Sequence, residues 1–214
     1  GKVSTDFFSN TDAAKSLDLQ PDGKILLAGQ CYNGTTFTDF AVARYNSDGT
    51  LDTTFNSTGK VNVDLGTNST DQGFGVAVQS DGKILLTGFT NANGTSDNAI
   101  VRLTASGALD TTFGGTGKII TAIGSGSDFG NDVKVQSDGK ILVSGYASVA
   151  GNDFTIIRYN SDGSLDSSFG TSGSVVTNFN ATTDDRGTRM LVQADGKIVL
   201  AGSTTQSGTY DLAI

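Results

Sequence analysis

The sequence predicts an all-β fold, a β-propeller of four-stranded antiparallel blades with four repeats in the chain. The first observation is a ten-residue segment that begins at Gln20 and returns at Gln79, Gln136 and Gln193, at spacings of 59, 57 and 57 residues. Self-similarity at such a period indicates a repeat architecture. The second observation is that each repeat contains four short strand-like segments, which turn residues join in sequence. Repeats of this kind, arranged radially, form a propeller.

The recurring segment is a predicted β-hairpin, in which strand a ends at the Gln and strand b follows the turn. Its first copy reads QPDGKILLAG, and the Asp-Gly pair supplies the positive φ that a tight turn requires. The residues before the turn alternate, whereas those after it are nearly all apolar, so strand a is predicted to be half-buried and strand b fully buried. The Asp of each turn is predicted to be structural: Asp22, Asp81, Asp138 and Asp195.

Strand d is a short alternating segment that precedes strand a in each repeat. Its copies cover 1–6, 59–64, 117–122 and 173–178. The loops between strands b and c differ in every copy and cover 30–38, 89–96, 146–152 and 203–210.

Strand c follows these loops and is apolar at consecutive positions, as in Asp39 to Tyr45. Because strands b and c both lack a polar face, we expect neighbouring blades to cover both sides of each sheet. A solenoid is the alternative repeat architecture, although its repeats of roughly 20–47 residues are usually shorter.

The connector from strand c to strand d contains a Leu-Asp-x-x-Phe motif at 51–55, 109–113 and 165–169. We predict that its Asp is structural and either caps backbone N–H groups or pairs with the Arg of strand c. The residues concerned are Asp52, Asp110, Asp166, Arg44, Arg102 and Arg158.

The order of the strands leaves two predictions for the ends of the chain. If the ring closes at four blades, segment 1–6 completes the last sheet by pairing with 212–214, which would remove open sheet edges. An excerpt of a larger propeller explains the short last strand equally well. The predicted repeats of this one domain cover 1–58, 59–116, 117–172 and 173–214. The predicted blades cover 12–64, 71–122, 128–178, and 185–214 together with 1–6.

These motifs together resemble the delta-60 repeat of bacterial secreted and surface proteins, over essentially the whole chain. The Gln-x-Asp-Gly-Lys turns, the strand c Arg and the Leu-Asp-x-x-Phe segments carry the resemblance. Departures occur at scaffold positions, with Asn56 for Gly, Asn98 for Phe, and Leu103-Thr104 for Tyr-Asn. The resemblance implies a propeller-like fold, export and attachment to longer proteins, and it implies no established activity.

Composition excludes several classes of function. The chain has 14 Lys and Arg against 22 Asp and Glu, a net charge of −8, which argues against nucleic acid or an anionic membrane surface as a partner. No apolar run approaches the roughly 18 residues of a membrane-spanning helix. The absence of His removes Ser-His-Asp catalysis, Cys-His catalysis and His-ligated metals.

Two sets of Asp residues are predicted to lie at the same end of the blades. The first begins strand a and consists of Asp12, Asp71, Asp128 and Asp185. The second begins strand c and consists of Asp39, Asp97, Asp153 and Asp211. The first set, bordering the central channel, could form an acidic ring that holds a cation such as Ca²⁺. The alternative is that each Asp accepts backbone N–H bonds within its own loop, as a feature repeated in every copy would do.

The sequence therefore predicts a non-catalytic, extracellular or bacterial cell-surface module that presents variable loops to a protein or cell-surface partner. No catalytic residue and no cofactor is assigned, apart from the Ca²⁺ considered above. We expect the module to belong to a longer exported protein. The alternative function is a polysaccharide- or cation-binding propeller, a lectin or glycan-active enzyme, that uses the acidic face.

Overall fold

The computed structural model describes residues 1–34, 37–149, 151–180, 183–205 and 208–214, and it confirms the predicted all-β propeller fold. Three sheets have four strands and the last has three. Parts of the loops predicted at 30–38, 146–152 and 203–210 lie outside the described residues, namely 35–36, 150 and 206–207. Within the described part of the chain, no helix is long and apolar enough to cross a membrane.

Each sheet is one blade, and its strands follow in chain order. Blade 1 contains β1 (Asp12–Leu19), β2 (Ile25–Tyr32), β3 (Thr38–Tyr45) and β4 (Lys60–Val63). Blade 2 contains β5 (Asp71–Val78), β6 (Ile84–Thr90), β7 (Asp97–Leu103) and β8 (Lys118–Thr121). Blade 3 contains β9 (Asp128–Val135), β10 (Ile141–Ser148), β11 (Asn152–Tyr159) and β12 (Ser174–Thr177). Blade 4 contains β13 (Arg186–Val192), β14 (Ile198–Thr204) and β15 (Asp211–Ala213).

The antiparallel order of the strands gives every blade two distinct ends. The turns from the first to the second strand and the connectors from the third to the fourth lie at one end, which we call the turn end. There, Lys24 Nζ lies 2.9 Å from Asp52 Oδ2. The remaining loops lie at the opposite end, which we call the loop end, where Asn62 Nδ2 donates to Asp39 Oδ2 at 3.0 Å.

The core lies between adjacent blades, as the apolar runs of the sequence predicted. One cluster joins blades 1 and 2 and includes Phe40 and Leu86. A second joins blades 2 and 3 around Leu85 and Tyr159, and a third joins blades 3 and 4 around Met190. Sheets covered on both faces in this way need apolar side chains at successive positions.

The first strand of each blade contains a β-bulge at the same position. The register shifts once in each, leaving one residue unpaired: Lys15, Phe74, Asn131 and Thr188. A bulge bends the strand and turns its side chain in a new direction. Each blade therefore has a different type of side chain at its bulge.

The prediction of a strand at Gly1–Asp6 is wrong, because the structure has no strand there. Within the described residues, β15 has no fourth strand beside it, so the predicted pairing of 1–6 with 212–214 does not form. A strand requires a partner ladder, and none lies next to residues 1–6. The four blades therefore form an open series in which β1 packs on β5, β5 on β9, and β9 on β13.

Candidate functional site

The turn end joins three repeated motifs in one ion-pair network. Arg44 Nε donates to Asp52 Oδ2 at 2.7 Å, and Lys24 Nζ of the hairpin turn reaches the same oxygen. The backbone N–H and hydroxyl of Thr54 donate to the other oxygen. Blades 2 and 3 repeat the pairing through Arg102 with Asp110 and Arg158 with Asp166.

This network also joins blade 1 to blade 2 and blade 2 to blade 3. The Arg44 guanidinium donates to the carbonyl of Ala105 at 2.7 Å, and Arg102 donates likewise to the carbonyl of Ser161. The Arg44 guanidinium carbon lies 4.4 Å from the centre of the Phe55 ring, a cation–π contact that both other copies share. Arg44 and Arg102 therefore each link two neighbouring blades.

The carboxylates of this network are held in the charged form. Hydrogen bonding by Thr54 holds the pKa of Asp52 well below its usual range. Burial acts to raise the pKa of Asp110, but bonds from Thr112 and Lys83 outweigh it and lower the pKa to about 2. The turn Asp residues have a smaller role, since each accepts the backbone N–H of its own turn: Asp22, Asp81, Asp138 and Asp195.

The first Asp set lies at the loop end, where each residue closes its own loop. The carboxylate of Asp71 accepts the N–H of Leu65 at 2.7 Å. The same bond recurs for Asp12, Asp128 and Asp185, whose donors are Phe7, Ile123 and Phe179. These contacts are the backbone N–H bonds within each loop that we gave as the alternative to an acidic ring. Of these four residues, only Asp71 belongs to a group of three acids close enough to share an ion among the described residues, and the acidic ring stays a prediction.

The second Asp set begins the third strand of each blade at the same end. Asp39, Asp97 and Asp153 are buried, whereas Asp211 is exposed. Asp39 accepts from Asn33 and Asn62, each at 3.0 Å. At two junctions the strand c Asp lies near the strand a Asp of the following blade, namely Asp39 near Asp71 and Asp97 near Asp128. Burial raises the pKa of Asp128, and the charge of Asp97 raises it further.

One junction of the loop end carries three acids. The ligand oxygens of Asp39, Asp64 and Asp71 lie within 4.8 Å of one another, the one such group among the described residues. Asp39 Oδ1 is buried and has no hydrogen-bond partner among the residues that the structure describes. Burial raises the pKa of Asp71 despite the bond from Thr90. At the next two junctions, Ala122 and Asn178 replace Asp64.

A cavity of about 720 Å³ lies between the first strands of the four blades. Its charged lining residues belong to individual copies: Lys15, Asp18, Asp132, Lys134 and Arg189. Both acids are already bonded across blades, since Asp18 accepts the Val78 N–H and Asp132 the Met190 N–H, each at 2.9 Å. Each of these carboxylates therefore links two neighbouring blades.

Sequence reasoning missed a row of aromatic side chains at the loop end. The rings of Phe89 and Phe129 lie edge to face with centres 4.8 Å apart, and Phe129 stacks on Tyr146 at 4.7 Å. Phe74 extends the row on one side, and Arg186 lies over the Tyr146 ring on the other. The sequence did contain a signal for part of this row. Phe129 and Tyr146 are opposite each other on adjacent strands of blade 3, whereas blade 1 has the non-aromatic pair Ala13 and Gln30 at the equivalent positions.

Polar groups continue this row on blade 4. Arg186 Nη2 lies 2.9 Å from Asp184 Oδ2, and the Tyr210 hydroxyl donates to the same oxygen at 2.9 Å. Asn152 donates to the other oxygen at 2.7 Å. The bond from Arg186 lowers the pKa of Asp184. We call Phe74, Phe89, Phe129, Tyr146, Arg186, Asp184 and Tyr210 the aromatic row; it crosses blades 2 to 4 and breaks the repeat symmetry.

Cys31 lies near the loop end of blade 1 and is fully buried. Burial raises the pKa of its thiol to about 12, and the charges of Asp39 and Asp12 act in the same direction. A thiol held in the neutral form is a poor nucleophile and a poor metal ligand.

Several solved structures match the chain at low sequence identity. A gluconolactonase from Xanthomonas campestris is 12% identical, with 94% of this chain and 58% of that chain covered at a TM-score of 0.47. An exo-1,5-α-L-arabinanase from a bovine ruminal metagenomic library is 13% identical, with coverages of 86% and 75% and a TM-score of 0.43. A puromycin hydrolase is 13% identical, with coverages of 88% and 33% and a TM-score of 0.33. The chain thus spans 58% of the gluconolactonase.

No curated protein matches the chain. The family model described as "Domain of unknown function (DUF5122) beta-propeller" matches residues 20–55, 79–113, 136–169 and 193–214, together more than half of the chain. Each matched segment begins at the Gln of a hairpin turn, and the first three end at the Phe of a connector. The chain therefore belongs to the DUF5122 β-propeller family.

Proposed function

We propose that this protein is a non-catalytic β-propeller module that binds a protein or cell-surface partner through its loop end. The observation that carries the proposal is the aromatic row, which gathers copy-specific residues from three blades at that end. Scaffold needs recur in every blade, whereas a binding site needs different residues in different copies. Tyr and Arg are also the residue types that supply most binding energy at protein interfaces.

The two ends of the blades differ in a way that supports this assignment. At the turn end the Arg–Asp pairs repeat with nearly the same geometry in three blades, as an assembly device does. At the loop end the sequence changes from copy to copy, and Tyr210 and Arg186 are accessible to solvent. Variable loops on a rigid scaffold are the usual location of binding function.

A non-catalytic role is supported by the bonding of the acids. Glycoside hydrolysis requires two carboxyl groups that face a substrate from opposite sides of a bond. The cavity acids Asp18 and Asp132 instead accept backbone N–H groups of neighbouring blades. The chain also has no His to act as a general base.

We place the module outside the cell or on the bacterial surface, as part of a longer exported protein. The support is the resemblance of its motifs to the delta-60 repeat. The net charge of −8 also suits a protein that has no nucleic-acid partner.

The experiment is a binding assay with fluorescently labelled chain on bacterial cells and on insoluble polysaccharides, read by flow cytometry and by pull-down. We expect the Arg186→Ala/Tyr210→Ala double variant to bind at least tenfold more weakly than the parent chain. The matched control is Asp195→Ala/Lys197→Ala, which removes an exposed ion pair at the turn end of the same blade. Equal binding by all three proteins would contradict the proposal.

The second candidate function is cation binding at the junction of blades 1 and 2. It is favoured by the three acids there and by the buried, unpartnered oxygen of Asp39. Ca²⁺ takes oxygen ligands from carboxylates and amide carbonyls, and the Asn33 side chain lies beside Asp39. A bound cation would also relieve the repulsion between these carboxylates.

A further inference from the structure

Another cavity lies at the loop end, at the junction of blades 3 and 4. Its volume is about 490 Å³, within the range of about 300–1,000 Å³ that small-molecule sites occupy. Apart from Val149 and Gly151, the described residues that line it carry hydroxyl, amide or carboxylate groups: Ser148, Asn152, Thr183, Asp184 and Thr205. We call it the polar cavity. Small-molecule sites are usually lined mainly by apolar side chains, so this lining points to a ligand that is rich in hydrogen-bonding groups.

Asp184 is the centre of a set of hydrogen bonds that cross this junction. Its Oδ1 accepts from Asn152 Nδ2 of blade 3 at 2.7 Å and from Arg186 Nε of blade 4 at 2.9 Å. The backbone N–H of Asp184 donates to the Thr205 hydroxyl at 2.8 Å, and the Ser148 hydroxyl donates to Asn152 Oδ1 at 2.6 Å. The polar side chains of the cavity are therefore held in position before a ligand arrives, which lowers the entropic cost of binding.

The residues at the centre of this set belong to one copy of the repeat. At the position of Asp184, the other copies have uncharged hydroxyl residues: Thr11, Thr70 and Ser127. At the position of Arg186, the other copies have uncharged residues of three different types: Ala13, Gln72 and Phe129. A requirement of the scaffold would recur in every blade. The Arg186–Asp184 pair therefore serves something that is particular to the junction of blades 3 and 4.

Two aromatic side chains adjoin this cluster. The Tyr210 ring is 61% exposed, and its hydroxyl donates to Asp184 Oδ2 at 2.9 Å, which holds the ring next to a residue of the cavity lining. Arg186 lies over the partly exposed Tyr146 ring, 5.4 Å from its centre. An exposed ring beside convergent donors and acceptors can pack against the C–H face of a sugar ring while the polar groups bond to its hydroxyls.

The charges around the cavity disfavour an acidic ligand. Arg186 Nη2 lies 2.9 Å from Asp184 Oδ2, so the two side chains neutralise each other. Two further carboxyl groups, those of Asp153 and Asp185, are buried at the same junction, where the Asp185 N–H donates to the Asn152 carbonyl. The whole chain also has a net charge of −8. A phosphate or a uronic acid would meet this negative field, whereas an uncharged ligand would not.

We propose that the polar cavity and the Tyr210 ring bind an uncharged saccharide. The planar side chains of Arg186, Asp184 and Asn152 place donors beside acceptors, which suits adjacent sugar hydroxyls because each hydroxyl both donates and accepts. Arg186 contacts Asp184 through Nε and Nη2, and its side chain is 43% exposed, so its guanidinium retains donors for a ligand. This inference rests on the proposed function, because it names a glycan as the cell-surface partner.

The first experiment titrates the chain with uncharged oligosaccharides of known structure, namely cellohexaose, xylohexaose, mannohexaose and N-acetylchitohexaose. Isothermal titration calorimetry measures the dissociation constants, and hexagalacturonate is the acidic comparison. We expect at least one uncharged hexasaccharide to bind at least about tenfold more tightly than hexagalacturonate, since the acidic chain is repelled. The absence of binding by every uncharged hexasaccharide, or tighter binding of the acidic one, would overturn the proposal.

Variants locate the binding site on the chain. Tyr210→Ala removes the exposed ring, and Asp184→Asn removes the charge that holds Arg186; each is expected to weaken binding at least about tenfold. Thr70→Ala is the matched control, because Thr70 occupies the position of Asp184 at the junction of blades 1 and 2, and it should bind like the parent. Thermal unfolding checks that each variant is folded, and the exposed position of Tyr210 keeps the test valid if Asp184→Asn is unstable. Undiminished binding by Tyr210→Ala would overturn the proposal.

Treated bacterial cells separate this inference from the proposed function. Periodate cleaves the vicinal diols of surface glycans, whereas a protease removes surface proteins. We expect the labelled chain to bind protease-treated cells and to lose its binding to periodate-treated cells. Binding that is lost only after protease treatment, and that still depends on Arg186 and Tyr210, would keep the proposed function and overturn the saccharide. If the chain binds no cells, the proposed function fails, and the oligosaccharide titration still decides this inference.

Discussion

Arg102 Nε donates to Asp110 Oδ2 at 2.8 Å, and both side chains are buried at the junction of blades 2 and 3. Asp110 also accepts the backbone N–H and hydroxyl of Thr112, and Lys83 Nζ lies 3.3 Å away. One carboxylate thus satisfies donors from three segments of the repeat. Its loss would leave the Arg102 charge buried without its ion-pair partner.

We expect Asp110→Ala to lower the free energy of unfolding by about 3 kcal/mol, because breaking a buried ion pair strands the remaining charge. Asp81→Ala is the matched control at the same end of blade 2, where an exposed turn carboxylate should be worth about 0.5 kcal/mol. Urea unfolding followed by circular dichroism measures both. Unchanged stability in the Asp110 variant, together with loss of partner binding, would show that the residue is functional instead.

Stability should fall with pH in an acidic window that this network defines. The pKa of Asp110 in the folded protein is about 2, below the ordinary value of 3.8, so folding favours its charged form. This contribution is fully present above about pH 4 and is lost as the pH falls towards 2. Asp52 and Asp166 act in the same direction.

The measurement is the unfolding midpoint as a function of pH for the parent chain and for Asp110→Ala. The variant should show a shallower loss of stability between pH 4 and 2, since it lacks one of the groups that take up protons. Superimposable pH profiles would contradict the assignment of the lowered pKa to this residue.

Gly145→Ala should destabilise blade 3 by at least about 2 kcal/mol. A Cβ at this position would lie 1.8 Å from the carbonyl oxygen of Phe129, so the bulged first strand would have to move. Gly124→Ala is the control, because its added Cβ would meet nothing closer than 3.7 Å and should change stability by less than about 0.5 kcal/mol. Thermal unfolding compares the two variants, and equal midpoints would contradict the close approach of the strands.

Calcium should stabilise the chain if the junction of blades 1 and 2 binds a cation. A ligand present at roughly a hundred times its dissociation constant raises the free energy of unfolding by about 2.7 kcal/mol. Asp64→Ala should remove this effect and leave the fold intact, because Ala122 occupies the equivalent position in blade 2. Asp195→Ala, an exposed acid at the turn end, should retain it.

Thermal unfolding with and without Ca²⁺ measures the shift, and chelation should reverse it. If Ca²⁺ leaves the thermal unfolding midpoint of the parent chain unchanged, this junction does not function in cation binding. A shift that survives in Asp64→Ala would place the ion elsewhere.

The repeated motifs determined the scaffold, since each depends on local chemistry. The Asp-Gly turns at 22–23 and their counterparts form the predicted hairpins, and the strand c Arg meets the connector Asp in three blades. A residue retained in several copies must satisfy a need that every blade shares. The identity of Lys24 as a third member of this network was not evident, because it depends on how the turn folds over the connector.

What the tertiary structure decided is how different copies meet. The segment 1–6 has the pattern of a strand, but a strand exists only beside a partner, and the chain places none there. For the first Asp set, the structure shows a bond from a backbone N–H of the loop before each strand, and that pairing depends on how the loop folds. The aromatic row as a whole was hidden because only Phe129 and Tyr146 are paired within one hairpin, whereas Phe89 reaches them through the packing of blade 2 on blade 3.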